Sequence, residues 1–334
     1  MINLHKKLDS AGLAHRIQAG KMGRFFVFGA AGFIGQHLIR EVDSDMISPV
    51  TRRLKKRIPA DHKDRTWLVA DLLNPHSIEQ ILTPGSIVIN LAYSGSSSSE
   101  DNITMVENLV QACRRAHVSK LVHCSTAVVV GENPSPTVSE DTKCLPVTPY
   151  EKTKYQIESL LLDAANDDLK IYILRPTAVI GPGGQNLKKL LWATKAGNSV
   201  MNYIRSSLFG NRNLNLVAVK DVVGALMHLS KLSSFHSGVY ICSADDDPDN
   251  RYDKVEAIMR ELLEKQKRIK PTPLPKQILK LILRVSRSGA GRFANRNYSS
   301  EKLFHTGFQR SESVAQAVRE FVLSEVASSM RGSL

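Results

Sequence analysis

The chain has 334 residues and only four cysteines, Cys113, Cys124, Cys144 and Cys242, each isolated from the others. With no CxxC pair and no Cys/His cluster, neither a disulfide scaffold nor a metal site is expected. No apolar run approaches the ~18 residues of a membrane span. The opening MINLHKKLDSAGLAHRIQAGKMGRFF lacks the continuous apolar core of a signal peptide, so a cytoplasmic protein is expected. Aromatic residues make up only 6%, and there are 20 glycines and 14 prolines. Set against 42% hydrophobic and 23% charged residues, that balance excludes wholesale disorder and fibrous repeats. The sharpest deficit is a local one of acid. Between Lys265 and Ser300 stand ten bases (Lys265, Lys267, Arg268, Lys270, Lys276, Lys280, Arg284, Arg287, Arg292, Arg296) and no Asp or Glu, which accounts for most of the +13 formal charge.

What is present is alternation. Strand-like runs at Arg24–Phe28, Thr66–Ala70, Ser86–Ala92, Lys120–Cys124 and Lys170–Leu174 alternate with helical patterns at Phe33–Val42, Asn102–Ala116 and Tyr150–Ala165. Repeated βα units at this spacing predict an α/β, Rossmann-like, doubly wound parallel sheet. Beyond Gly181 the rhythm breaks into turns, a strand at Asn215–Val219, a helix at Asp221–Ser230 and a strand at Gly238–Cys242. The predicted organisation is an N-terminal extension over 1–21, a main domain over 22–180, and a smaller interleaved lobe over 181–330 from which 215–242 returns to the main domain. The extension reads either as a short amphipathic helix on Leu4, Leu8 and Leu13 or as an upstream start before Met22. Ser94–Ser99 (SGSSSS) reads as a flexible loop at a strand's carboxyl end, where such sheets bind ligands.

Gly29-Ala-Ala-Gly32-Phe-Ile-Gly35 falls directly between the first strand and a helix. Glycines there permit a tight turn and close backbone approach to a pyrophosphate, whose charge is met by N–H groups at the helix N-terminus. Where the second strand ends, an acid would take the ribose hydroxyls of NAD; this chain has Thr51-Arg52-Arg53 instead. Arg52 or Arg53 would pair with a 2′-phosphate, so the cofactor expected is NADP(H) rather than NAD(H). Lys55–Arg57 read as a solvated basic loop. Asp71, closing WLVADL, is a candidate acceptor for the adenine amino group.

Tyr150-Glu-Lys-Thr-Lys154 puts a phenol and an ammonium at i and i+4, on one face of a helix. A nearby cation favours phenolate, so Lys154 is expected to lower the pKa of Tyr150 toward neutrality and fit it for proton transfer as hydride moves. Cys124-Ser125-Thr126 at the end of the preceding strand supplies hydroxyls to hold a reacting oxygen.

The ordered set FGAAGFIG, VADL, VINLAYSG, ENLVQACRRAHVSKLVHCSTAVVVG, EDTKCLPVTPYEKTK and ILRPTAVIGPGG resembles the extended short-chain dehydrogenase/reductase family, particularly its sugar-nucleotide epimerase/dehydratase/reductase branch. The resemblance is clear over about residues 24–240 and implies the same fold, usually as a homodimer formed through two helices. It implies Thr126, Tyr150 and Lys154 as the catalytic set, with Lys154 also binding the cofactor ribose. Gly29, Gly32, Phe33, Ile34, Gly35, Asp71, Leu72, Leu91, Ala92 and Pro176 would border the cofactor, and Tyr93, Ser94, Thr126, Tyr150 and Arg212 the substrate. The chain departs from the family pattern at Asn90, where His is frequent, at Val130, where Tyr is frequent, at the TRR element, and around Arg212, which stands two residues from the usual diphosphate-clamping arginine.

Together these features favour hydride transfer at C4 of a nucleotide-activated 4-keto sugar, a reduction by NADPH. The alternatives are a 4-epimerase acting on a nucleotide-linked or polyprenyl diphosphate-linked sugar, a ketone reductase for a steroid or flavonoid, and a non-catalytic NADP-binding sensor. A dehydratase is disfavoured because Ala127 and Val128 stand where the family's dehydratases carry acids. Residues 273–287, with Lys276, Lys280, Arg284 and Arg287 at helical spacing among Leu and Ile, fit three roles: contact with an anionic membrane surface, packing on the small lobe, or binding of a substrate diphosphate. No nucleic-acid partner is expected, since no binding motif or interleaved aromatics accompany the charge.

Overall fold

The computed structural model describes residues 24–42, 45–53, 66–196, 206–207, 209–233, 236–264 and 296–331. The extension over 1–21, the basic loop 55–57 and the segment 273–287 lie outside these residues.

Strand β1 (Phe25–Phe28) is the sequence FFVF with every side chain buried. It lies between β2 (Ile47–Thr51) and β4 (Ile87–Asn90). With β3 (Leu68–Val69), β5 (Lys120–Cys124), β7 (Lys170–Pro176) and β10 (Gly238–Cys242) it forms a seven-stranded parallel sheet in the order β10-β7-β5-β4-β1-β2-β3. Such strands are buried on both faces and so read as continuous apolar runs. Phe25, Val27, Ile89, Val122 and Leu174 point to one face, under helices α1 (Phe33–Glu41) and α6 (Val219–Lys231). Phe26, Phe28, Val88, Leu121 and Ile173 point to the other, under α3 (Ser99–Arg115) and α4 (Pro149–Ala164). Pro49 has no N–H to give a ladder, and it is accommodated because β3 pairs only Val50 and Thr51 of β2.

Capping chemistry sets where the helices begin. Ser98 and Asp101 form a capping box on α3, and Thr148 and Glu151 form one on α4 with Pro149 in its first turn. The Ser94–Ser99 stretch, expected to be all loop, therefore gives its last two residues to a cap and a helix. The smaller elements are α2 (Pro75–Glu79), β6 (Thr137–Val138), β8 (Ala178–Ile180), α5 (Lys188–Lys195), β9 (Leu216–Ala218), α7 (Tyr252–Leu262), β11 (Asn297–Tyr298), α8 (Glu301–Phe304) and α9 (Val314–Arg331). Strands β8 and β9 pair, and α5, α7 and α9 gather around Leu191, Val255, Met259, Val318 and Phe321. Strand β11 pairs with β6 in a separate two-stranded sheet, which anchors the end of the acid-free stretch beside the turn after β5. Arg296 does not contribute free charge there: it is buried and donates to the carbonyls of Gly131 (2.7 Å) and Asn133.

Helix α4 is tied to the sheet by a buried ion pair. Arg175 of β7 grips both carboxylate oxygens of Glu158, the two side chains being 5% and 1% exposed. Removing one partner strands a buried charge, so Glu158→Leu is expected to cost about 3–5 kcal/mol in urea unfolding, with the double variant Glu158→Leu/Arg175→Met recovering most of it.

Candidate active site

The strand order reverses between β1 and β4, and the crevice at their carboxyl ends is where a doubly wound sheet takes a nucleotide. The turn after β1 is built to let a ligand approach backbone. Gly29 has φ 76°, and a Cβ there would stand 2.7 Å from the Ala92 nitrogen; a Cβ on Gly35 would stand 2.6 Å from the carbonyl oxygens of Gly29 and Ala30. Neither position tolerates a side chain. Helix α1 begins at Gly32 with no side chain capping it, and it has no acid in its first turn, an arrangement suited to a pyrophosphate. Phe33 and Ile34 follow as half-buried residues on the same turn. These features fit a dinucleotide.

The end of β4 is fixed by Asn90, buried and paired in register with His123 of β5. The Asn90 Oδ1 accepts the N–H of Ala92 (3.0 Å), so its amide nitrogen must donate to His123 Nδ1 (3.1 Å). The imidazole proton therefore sits on Nε2, which has no partner among the described residues. Burial, reinforced by Lys154, holds the His123 pKa well below its ordinary value, so the ring is neutral. Leu91 and Ala92 consequently stand against Gly29. Arg52 and Arg53 are exposed just past the end of β2, and the Thr51 hydroxyl donates to the Arg53 carbonyl (3.3 Å). Asp71 accepts the N–H of Leu73 (3.1 Å) beyond β3, while the Leu72 side chain is buried in the core.

Tyr150 lies in the first turn of α4 and Lys154 one turn later, both facing the end of β5. Glu151 sets this entry by accepting the N–H groups of Val147 (2.7 Å) and Thr148 (3.0 Å). Contrary to the sequence expectation, the Tyr150 phenol is pushed up to about 12. Burial is the main cause, with Tyr93 and Cys124 adding to it and a hydrogen bond with Thr126 opposing it. The Lys154 ammonium does not point at the phenol; it donates to the Cys124 carbonyl (3.2 Å) and lies 4.7 Å from the centre of the Tyr93 ring. Burial lowers its own pKa. The same burial raises the Cys124 thiol to about 11, leaving it un-ionised.

A cavity of about 710 Å³ opens beside this pair. Ile34, Thr126, Tyr150, Pro176 and Arg212 all line it, so residues from five separate stretches of sequence meet there. Ser125 lines it too, with a buried hydroxyl that has no partner among the described residues. Arg212 is the one charged side chain among the described residues of the wall, and burial lowers its pKa without discharging a group so basic. Tyr93 and Ser94, expected on the substrate side, do not line the cavity. Ser94 spends its hydroxyl on Ser96 and Ser97, and Tyr93 turns onto Tyr150 and Lys154. Sequence reasoning missed Phe209 and Tyr252, whose rings stand 6.1 Å apart in the wall, and Tyr298, which packs with Ala127 and Ile241. No local pattern marks them, because they come together only in the folded chain.

A glycine cradle at the switch point of a parallel sheet, with a Tyr–Lys helix alongside a Thr-bearing strand end, defines an NAD(P)-dependent enzyme of the extended short-chain dehydrogenase/reductase type. A model of the NAD dependent epimerase/dehydratase family matches residues 25–240, more than half of the chain, and the chain belongs to that family. It is 29% identical to a UDP-glucose 4-epimerase from Azospirillum brasilense over 216 residues, covering 58% of this chain and 60% of that one, short of two thirds of the relative's length. The fold also matches a Thermus thermophilus UDP-glucose 4-epimerase in complex with NAD (TM-score 0.64, 21% identity, 93% of this chain and 100% of that one). A third likeness is to RMD from Pseudomonas aeruginosa complexed with NADPH (TM-score 0.63, 18% identity, 91% and 99%). Among the described residues no helix is long and apolar enough to cross a membrane.

The contact at Gly35 yields a direct prediction. Gly35→Ala forces α1 off the turn, so dinucleotide affinity by calorimetry should fall by at least about 100-fold while far-ultraviolet circular dichroism stays close to that of the parent.

Proposed function

We propose that the protein is a sugar-nucleotide 4-epimerase acting on a UDP-linked sugar, with NAD retained through both halves of the reaction. The observation that carries this reading is the composition of the cavity. Among its described residues there is no carboxylate and no imidazole, and Tyr150 is the phenol one helical turn from a lysine, Lys154. Such a wall suits the interconversion of an alcohol and a ketone, which needs one proton moved at one oxygen. It does not suit loss of water, which needs a further acid/base pair. The likeness to UDP-glucose 4-epimerases favours inversion over a single reduction.

The bound nicotinamide supplies the two-electron acceptor and donor. Tyr150, as phenolate, takes the C4 hydroxyl proton and later returns it; the Thr126 hydroxyl holds the same oxygen, and the Lys154 charge stabilises the phenolate. Lys154 would hold the cofactor ribose, and its charge offsets the burial that pushes the Tyr150 phenol up to about 12. Arg212 pairs with the diphosphate, and the Phe209 and Tyr252 rings offer a flat apolar wall for the base. Two copies would associate through α3 and α4, where Tyr155 and Leu162 are exposed.

Reduction of a 4-keto sugar by NADPH is the second reading, favoured by Arg52 and Arg53 at the end of β2. Mass spectrometry of the cofactor carried through purification separates the two, as does NMR of a UDP-glucose and UDP-galactose mixture. Retained NAD with C4 inversion is expected; an empty site, NADPH preference lost in Arg52→Asp/Arg53→Asp, and no inversion would replace this reading with the second. Tyr150→Phe is expected to lower kcat by about 10²–10⁴-fold while cofactor affinity is unchanged, and a fully active variant would overturn the mechanism.

A further inference from the structure

Tyr93 stands where β4 gives way to its loop, and its ring touches both members of the Tyr–Lys pair. The Lys154 ammonium lies 4.7 Å from the ring centre, within the range of a cation–π contact. The Tyr150 ring meets it edge-on, with centres 5.2 Å apart and planes at 88°. Tyr93 is held there from behind. Both backbone groups of the next residue, Ser94, are bonded by the buried Asn102 of α3 (2.9 and 3.0 Å), whose amide also donates to the Ser98 carbonyl (2.9 Å).

The groups around the ammonium show why this contact matters. From β5 come the Cys124 carbonyl at 3.2 Å, the un-ionised Cys124 thiol and the neutral His123 ring. From α4 itself comes Glu158, whose carboxylate is already engaged by Arg175 of β7. A buried charge that has lost its water needs compensation. The negative face of the Tyr93 ring offers it, and burial raises the Tyr93 phenol's own pKa so that it stays neutral.

We propose that Tyr93 is a positioning residue for the reacting pair: its face holds the Lys154 ammonium charged and in place, and its perpendicular packing fixes the plane of the Tyr150 phenol. The proposal rests on Tyr150 and Lys154 being that pair. It assigns the work to the ring and none to the Tyr93 hydroxyl, in contrast to a substrate contact.

The test reads Lys154 directly. Protein labelled with ¹³Cε-lysine is titrated by NMR, the Lys154 signal being the one lost in Lys154→Met. In Tyr93→Leu the midpoint should fall by about one pH unit, while Tyr93→Phe keeps it. Tyr93→trifluorophenylalanine keeps the shape of phenylalanine but weakens the ring face, so it should lower the midpoint even if the leucine variant folds poorly. In turnover assays the leucine variant should lose about tenfold in kcat at unchanged KM, and phenylalanine should restore it. A midpoint unmoved by fluorination, or a Tyr93→Phe variant whose KM rises at unchanged kcat, would overturn the proposal. Because the titration uses no sugar, a shifted midpoint in protein that inverts no UDP-sugar would refute the proposed reaction and leave the role of Tyr93 standing.

Discussion

Tyr150, Lys154 and Glu158 follow one another at four-residue steps along one stripe of helix α4, and the last of them is clamped by Arg175 within the core. The placement of the first two depends on that clamp. A buried ion pair adds little net stability over a well-packed apolar pair, because desolvating both charges consumes most of their attraction. What it gives here is geometry: a helix held at one end by the Thr148/Glu151 cap and two turns later by a salt bridge has little freedom to slide or rotate. Arg175 also precedes Pro176, which lines the cavity, so the same side chain links the helix that carries the phenol to the strand that borders the ligand.

Around this fixed pair the electrostatics are those of a dry site. Cys124 and Tyr150 are both raised and Lys154 and His123 both lowered, and in each case burial is the leading cause. All four shifts favour the neutral form. A phenolate and an ammonium in such surroundings are each costly alone and stabilise one another as a pair.

How much of this was legible in the sequence depended on how far apart the cooperating residues stand. The Gly29–Gly35 turn, the Tyr150/Lys154 pair and the βα rhythm are local, and spacing alone exposed them. Boundaries governed by caps are less legible: the helical pattern starts α3 at Asn102, three residues late, because Ser98 reads as loop. Spacing also misses the sign of the Tyr150 shift: i, i+4 places Lys154 nearby but does not show that its ammonium turns to the Cys124 carbonyl, nor that Lys154 is buried while Tyr150 is still 41% exposed. Phe209, Arg212, Tyr252 and Tyr298 come together from remote stretches, and only Arg212 was anticipated, through resemblance rather than pattern. Arg296, one of the ten bases of the acid-free stretch, is a buried clasp on the loop after β5.

The two-handed grip of Asn102 on Ser94 separates two neighbours of different kinds. On one side lies Tyr93, packed against Tyr150 and Lys154. On the other lie Gly95 to Ser97, small and largely exposed. Because both the N–H and the C=O of Ser94 are held, a change in that tip need not displace the ring. The tip is therefore a module that natural variation could lengthen, shorten or recharge to suit different ligands, while the chemistry a few ångströms away stays as it is.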